Sequence, residues 1–154
     1  MMKTRHLLLA LATVAIGACE ATESLDPAAT VLADDGLRVT LTIEPEAISA
    51  PGTAVAKLTY KNAGTKPLVL ESGARCFAFG AVYRGEERIP FPRTDNVCAT
   101  VMTRWNLHPG AELTQEWTLD IGGEAGVEAP PGRYRFVATT VTGHGKLQGT
   151  FVVR

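Results

Sequence analysis

From Leu37 onward the chain alternates apolar and polar residues with a period of two. Leu37, Val39, Leu41 and Ile43 interleave with Arg38, Thr40 and Thr42, and Ala54, Ala56, Leu58 and Tyr60 interleave with Val55, Lys57, Thr59 and Lys61. The beat returns at Leu68/Leu70, Phe77/Phe79/Ala81/Tyr83, Val97/Ala99/Val101, Leu113/Gln115/Trp117/Leu119/Ile121, Tyr134/Phe136/Ala138 and Leu147/Phe151/Val153. Successive side chains of an extended chain point to opposite faces, so each run predicts a strand with one buried and one wet face. After Gly36 no apolar stripe of helical period runs over eleven or more residues.

Turn chemistry separates the runs: Glu44-Pro45, Ala50-Pro51-Gly52, Asn62-Ala63-Gly64, Arg84-Gly85-Glu86, His108-Pro109-Gly110, Gly122-Gly123 and Ala129-Pro130-Pro131-Gly132. Proline presets φ and glycine supplies positive φ. Short strands joined this way predict an all-β fold, an antiparallel β-sandwich of about seven to nine strands. Period alone does not separate a sandwich from a small barrel; the size and the absence of a barrel-wide glycine pattern favour the sandwich. Asn62 and Gly64 are expected to supply left-handed backbone in the turn between two strands. Trp117 and Tyr134 fall in phase with apolar neighbours and are expected in the core, while Trp105, beside Arg104, is the better candidate for a partly exposed aromatic, with the core as its default.

The N-terminus has a different design. Lys3 and Arg5 form a basic head, residues 7–16 are apolar apart from Thr13, and Gly17-Ala18 puts small residues directly before Cys19. A largely apolar run of ten residues is too short to span a bilayer and suits a secretory signal. An ordinary signal with a nearby cysteine would leave the same head and core. The cysteine at the exit resembles the lipobox of bacterial lipoproteins, which implies cleavage before Cys19 and lipidation of its thiol. The expected organisation is a signal peptide over 1–18, a flexible tether over 19–36 and a sandwich over 37–154. The expected location is the bacterial cell envelope, exported and membrane-anchored, on its periplasmic or outer face. The tether stretch holds Pro27 and no sustained period.

Removing Lys3 and Arg5 from fifteen basic residues leaves thirteen against sixteen acids, so the mature chain is mildly acidic. Its basic residues are scattered singly, which argues against a nucleic-acid partner. With Cys19 lipidated, Cys76 and Cys98 remain. Export places them where disulfides persist, and one bridge is the simplest count, with a pair of buried free thiols as the alternative.

Catalytic and metal-binding constellations are sparse. The mature chain keeps only His108 and His144, both in turns, without the three or four convergent ligands that zinc requires. Cys98, Met102 and His108 would need a second histidine and a free thiolate to hold copper. Ser24, Ser49 and Ser72 lie in no nucleophile-elbow pattern, and Glu86-Glu87 sits in a hairpin turn. No metal, no cofactor and no enzymatic activity are expected.

The order Leu58-x-Tyr60-x-Asn62-x-Gly64-x-x-Pro67-Leu68-x-Leu70, then Phe77 and Phe79, the Gly85 hairpin, Leu107-x-Pro109-Gly110, Trp117-x-Leu119 and Pro130-Pro131-Gly132-x-Tyr134 resembles the BsuPI-like domain. That domain is named after an intracellular proteinase inhibitor of bacilli, and the resemblance covers roughly residues 37–153. It implies an immunoglobulin-like sandwich. The function expected is a non-catalytic binding or accessory module whose partner is an envelope protein; the alternative is a protease inhibitor. Both readings converge on residues 89–97. Pro90 and Pro92 stiffen the backbone on either side of Phe91, and Arg93 follows, a pairing suited to gripping a partner or to mimicking the substrate of a trypsin-like protease. An ordinary hairpin loop with Phe91 tucked into the sandwich edge is the structural alternative.

Overall fold

A computed structural model describes residues 28–33, 35–90, 98–122 and 126–154. Its strands are β1 (Ala28–Leu32), β2 (Leu37–Glu44), β3 (Ala47–Ile48), β4 (Gly52–Asn62), β5 (Leu68–Ser72), β6 (Ala78–Arg84), β7 (Glu87–Ile89), β8 (Thr103–Leu107), β9 (Glu112–Ile121), β10 (Gly132–Thr140) and β11 (Lys146–Val153). A first sheet has the order β1–β2–β4–β9, a second β3–β11–β10–β6–β7, and β5 pairs with β8 separately. The two larger sheets, of four and five strands, fall at the upper edge of the expected count. Every pairing is antiparallel except the short parallel join of β3 to β11.

The topology is immunoglobulin-like. Strands β4 and β9 occupy the B and E positions of one sheet, and β6, β10 and β11 occupy C, F and G of the other. Tyr134, near the start of β10, donates its hydroxyl to the Pro130 carbonyl four residues upstream, 2.7 Å away, as in a tyrosine corner.

Alternation decides what lies between the sheets. Leu37, Val39, Leu41 and Ile43 of β2, Ala54 to Tyr60 of β4 in alternate positions, and Trp117, Leu119 and Ile121 of β9 are buried from one side. Tyr134, Phe136 and Ala138 of β10 and Leu147, Phe151 and Val153 of β11 close on them from the other. Trp117 meets Phe136 with ring centroids 5.2 Å apart, and Tyr134 stacks on Phe151 at 5.5 Å. Burying side chains of this size stabilises the fold by about 1.5–3 kcal/mol each.

In β6 the buried phase is the opposite of the expected one. Ala78 and Val82 face the core, while Phe79 is 50% exposed. The reason is Gly80: a Cβ there would lie 2.6 Å from Phe136 Cζ and 3.0 Å from Trp117 Nε1. Two large rings fill the space opposite, so small residues must point inward and the larger Phe79 and Tyr83 point out. Of the expected Val97/Ala99/Val101 strand, Val97 lies outside the described residues and the other two are not in a strand. Ala99 and Val101 precede β8, and Val101 is half exposed.

Two further expectations change. The segment assigned as tether contains β1, which pairs with β2 in full register from Ala28↔Thr42 to Leu32↔Arg38. Backbone pairing and partial burial of Ala29 and Ala33 against the core draw this stretch into the domain, although its side chains are small. Asn62 ends β4 in extended backbone and is fully buried. Its Nδ2 donates to the carbonyls of Lys66 (2.7 Å) and Leu107 (2.9 Å), and its Oδ1 accepts from the Gly64 N–H (2.9 Å). The left-handed glycine lies instead at Gly36 (φ 87°), whose absent Cβ would sit 2.9 Å from Gly64 Cα. Two glycines thus let the β1–β2 turn rest on the chain after β4.

Candidate functional site

Cys76 and Cys98 are joined by a disulfide with their Cα atoms 5.1 Å apart. Both half-cystines lie outside strands, between β5 and β6 and ahead of β8, so the bridge staples two connecting segments. The Arg75 N–H donates to the Ala99 carbonyl alongside it (2.9 Å). Cys98 is bonded and therefore offers no thiolate to a metal.

Buried polar side chains fix this edge of the sandwich. Gln115 of β9 donates from Nε2 to the Ala78 carbonyl (2.8 Å) and accepts at Oε1 from the Phe77 and Ala78 N–H groups (3.2 Å each), stitching the first sheet to the lead-in of β6. Ser72 donates from Oγ to the Cys76 carbonyl (3.1 Å) and accepts the Ala74 N–H (3.1 Å). Tyr60 donates its hydroxyl to the Phe77 carbonyl (3.2 Å) while its ring meets Phe77 edge-on at 4.9 Å. Burial pushes the Tyr60 hydroxyl above the usual tyrosine range, against opposing hydrogen bonds from Thr142 and Thr140. Among the described residues every buried side-chain nitrogen or oxygen has a partner.

Outside this frame, Arg75, Cys76, Phe77, Thr114, Gln115 and Glu116 line an open hollow of about 420 Å³. Val101 and Met102, which follow Cys98 on the way to β8, are 50% and 75% exposed. Trp105 is half-buried, packed against the core and edge-on to Phe77 at 5.7 Å, between the two placements expected for it. His144 packs at 6.4 Å from the Tyr60 ring, and among the described residues no three His, Cys, Asp or Glu side chains converge as a metal site.

Of the residues singled out from sequence, Cys19, Phe91 and Arg93 lie outside the described residues. The flanks of 91–97 are both tied to β6. Ile89 pairs with Val82 on one side, and the disulfide links Cys98 to the residue two before β6 on the other. Through Gln115 the stapled segment borders β9, the strand across the first sheet from β1.

The two outer faces differ in charge. Outward positions of the first sheet carry Arg38, Lys57 and Lys61 against Glu44, Glu112, Glu116 and Asp120. Lys61–Glu112 (2.8 Å) and Lys57–Glu116 (3.8 Å) pair across strands, and the hydrogen bond from Lys61 holds the Glu112 carboxyl below its ordinary range. A row of threonines, Thr30, Thr40, Thr59 and Thr114, crosses all four strands. On the second sheet the outward rows read Arg88–Tyr83–Arg135–Thr150, Ala81–Val137–Gln148, Phe79–Thr139–Lys146 and Arg133–Val152. Arg88, Arg133, Arg135 and Lys146 hold outward strand positions there, and among the described residues no acid does. Arg135 lies over the Tyr83 ring at 5.5 Å and 3.9 Å from the solvent-exposed Glu86 of the hairpin.

No family model matches the chain, and no curated protein matches it. Among solved structures it is similar to the Pseudomonas fluorescens alkylpurine DNA glycosylase AlkC bound to DNA containing an abasic site analog, at 13% identity and a TM-score of 0.44, over 79% of this chain and 31% of that one. It is similar to the Erythrobacter marinus β-glucosidase EmGH1 at 8% identity and a TM-score of 0.42, over 84% of this chain and 16% of that one. A Pyrococcus furiosus CARDB domain in complex with di-metal ions aligns at 15% identity and a TM-score of 0.38, over 75% of this chain and 93% of that one. The chain thus spans under a third of the glycosylase and about a sixth of the glucosidase.

Proposed function

We propose that this chain is a membrane-anchored, non-catalytic lipoprotein of the bacterial envelope whose BsuPI-like sandwich acts as a protein-binding or accessory module. The anchor is the thiol of Cys19, at the end of a basic, apolar and small-residue leader. The observation that carries the binding role is the arrangement of edges. The N-terminal strand lies on one edge of the first sheet, and the disulfide-stapled surface with exposed Met102, Val101 and Arg75 borders the other. A head held through β1 turns the stapled edge away from its attachment. Stapling lowers the ordering cost of binding there, which favours affinity.

Two experiments test this. Cys19→Ala should move the protein from the detergent phase to the aqueous phase, and unchanged partitioning would remove the anchor. A photo-crosslinking residue at Met102 or Arg75 should give one discrete protein adduct in intact cells, and the same residue at Thr40 none. Equal or absent adducts at all three positions would remove the binding role.

Protease inhibition through 89–97 is the second reading, favoured by the fastening of both flanks to β6. Titration against trypsin-like and subtilisin-like proteases should show inhibition that Arg93→Ala abolishes. Cleavage after Arg93 without inhibition would discard this reading.

A further inference from the structure

We infer that the outer face of the second sheet lies flat against an anionic phospholipid surface. The inference rests on the proposed anchor at Cys19 and adds to it an orientation and a lipid preference.

The face is amphipathic in the manner of a membrane-surface element. Phe79, Ala81, Tyr83, Val137 and Val152 supply apolar area at outward positions, with Phe79 half exposed. Arg88, Arg133, Arg135 and Lys146 surround them, in a chain whose formal net charge is −1. Arg88 and Lys146 have no carboxylate within 4.0 Å among the described residues, and the contact of Arg135 to Glu86 joins a carboxylate that is 98% exposed. Aromatic and aliphatic side chains inserting at headgroup level, with cations among the phosphates, is the established physics of interfacial binding. Each Lys or Arg near an anionic surface raises partitioning by about fivefold.

A membrane suits this face better than an acidic protein. The cations are spread over several rows of a sheet surface rather than gathered around a pocket. The anionic surface is also always near. Only eight residues separate Cys19 from Ala28, and nine extended steps span at most about 30 Å. The opposite face, with its charges set against one another, has no such preference. Lying on the second sheet leaves the stapled edge clear.

The test uses the chain as extracted from cell membranes, on vesicles of phosphatidylcholine alone and on vesicles with one part in three phosphatidylglycerol, read by flotation and by hydroxyl-radical footprinting. Phe79 and Tyr83 should be oxidised at least threefold less on the anionic vesicles, while Met102 is oxidised equally on both. High salt and the double change Arg88→Glu/Arg135→Glu should erase the difference, whereas Lys57→Glu/Lys61→Glu should leave it. Circular dichroism of each variant checks the fold. Flotation with both vesicles and no differential protection overturns the face and keeps the anchor. Flotation with anionic vesicles alone supports the face and removes the anchor, and flotation with neither overturns both. Protection seen only in whole envelopes assigns the face to a protein and overturns the membrane.

Discussion

The outward positions of β2, β4 and β9 are filled with threonine and with charges set opposite one another, whereas those of β6, β7, β10 and β11 hold arginine, lysine, phenylalanine and tyrosine. Both faces belong to sheets packed on one core, so the fold does not account for the difference. Threonine suits exposed strands by β-propensity, and cross-strand pairs such as Lys61–Glu112 satisfy charge locally. The second sheet instead gathers cations around half-exposed Phe79 and Tyr83, the arrangement from which the membrane contact is proposed. Inside, the asymmetry is reversed. The second sheet gives up bulk at Ala78 and Gly80 to receive Trp117 from the first.

That reversal can be broken most forcefully from inside. Trp117→Ala should cost about 3–5 kcal/mol in urea unfolding, because a large buried ring leaves a cavity between the sheets. Phe79→Ala, on the outer face of the strand opposite, should cost well under about 1.5 kcal/mol. Comparable losses would restore the phase in which Phe79 points inward.

Next in size is the staple. Cys76→Ser/Cys98→Ser should lower stability by about 3 kcal/mol in the chain-entropy account of a closed loop of this length. Thermal melts with and without reductant measure it, and identical melts would show that the bridge constrains nothing.

Gly80→Val should cost about 1–3 kcal/mol by overpacking against Phe136 and Trp117. Gly73→Ala, where an added Cβ meets nothing within 4 Å, should change stability by less than about 0.5 kcal/mol. A tolerated Gly80→Val would mean that the two rings can give way.

The smallest effect lies on the outer face of the first sheet. The carboxyl of Glu112 is held below its ordinary range by Lys61, so its contribution to stability is present above the unfolded pKa and lost as pH falls through the folded one. Lys61→Ala should raise the Glu112 midpoint in an NMR titration and flatten that part of the acid limb. An unmoved midpoint would show that the cross-strand pair does not hold in solution.

Much of this architecture was legible in the sequence, and the exceptions share a cause. The strands β2, β4, β9, β10 and β11 announce themselves because one face is wet and the other dry, so the period of two survives intact. Trp117 and Tyr134 lie in the core where their phase put them. In β6 the signal inverts, since hydrophobicity alone cannot foresee that Gly80 faces two rings contributed by strands more than thirty residues away. The strand β1 hid in a run of small and polar residues, because what recruits it is backbone pairing along β2. Asn62 reads as turn chemistry, yet its side chain is consumed by carbonyls of two separate segments, a demand visible only once β8 is in place. Counting thiols sufficed for the disulfide, although it does not show that both half-cystines lie in connecting segments. The cationic face went unread because its members, scattered singly along the chain, converge only through sheet register.

The proposed anchor is what turns these differences between faces and edges into an orientation, and the intact mass of the protein extracted from membranes tests it most directly. The account predicts a chain that begins at Cys19 and carries acyl groups, two hydrogens lighter for the Cys76–Cys98 bridge. A chain that begins at any other residue, or begins at Cys19 without added lipid mass, would contradict it.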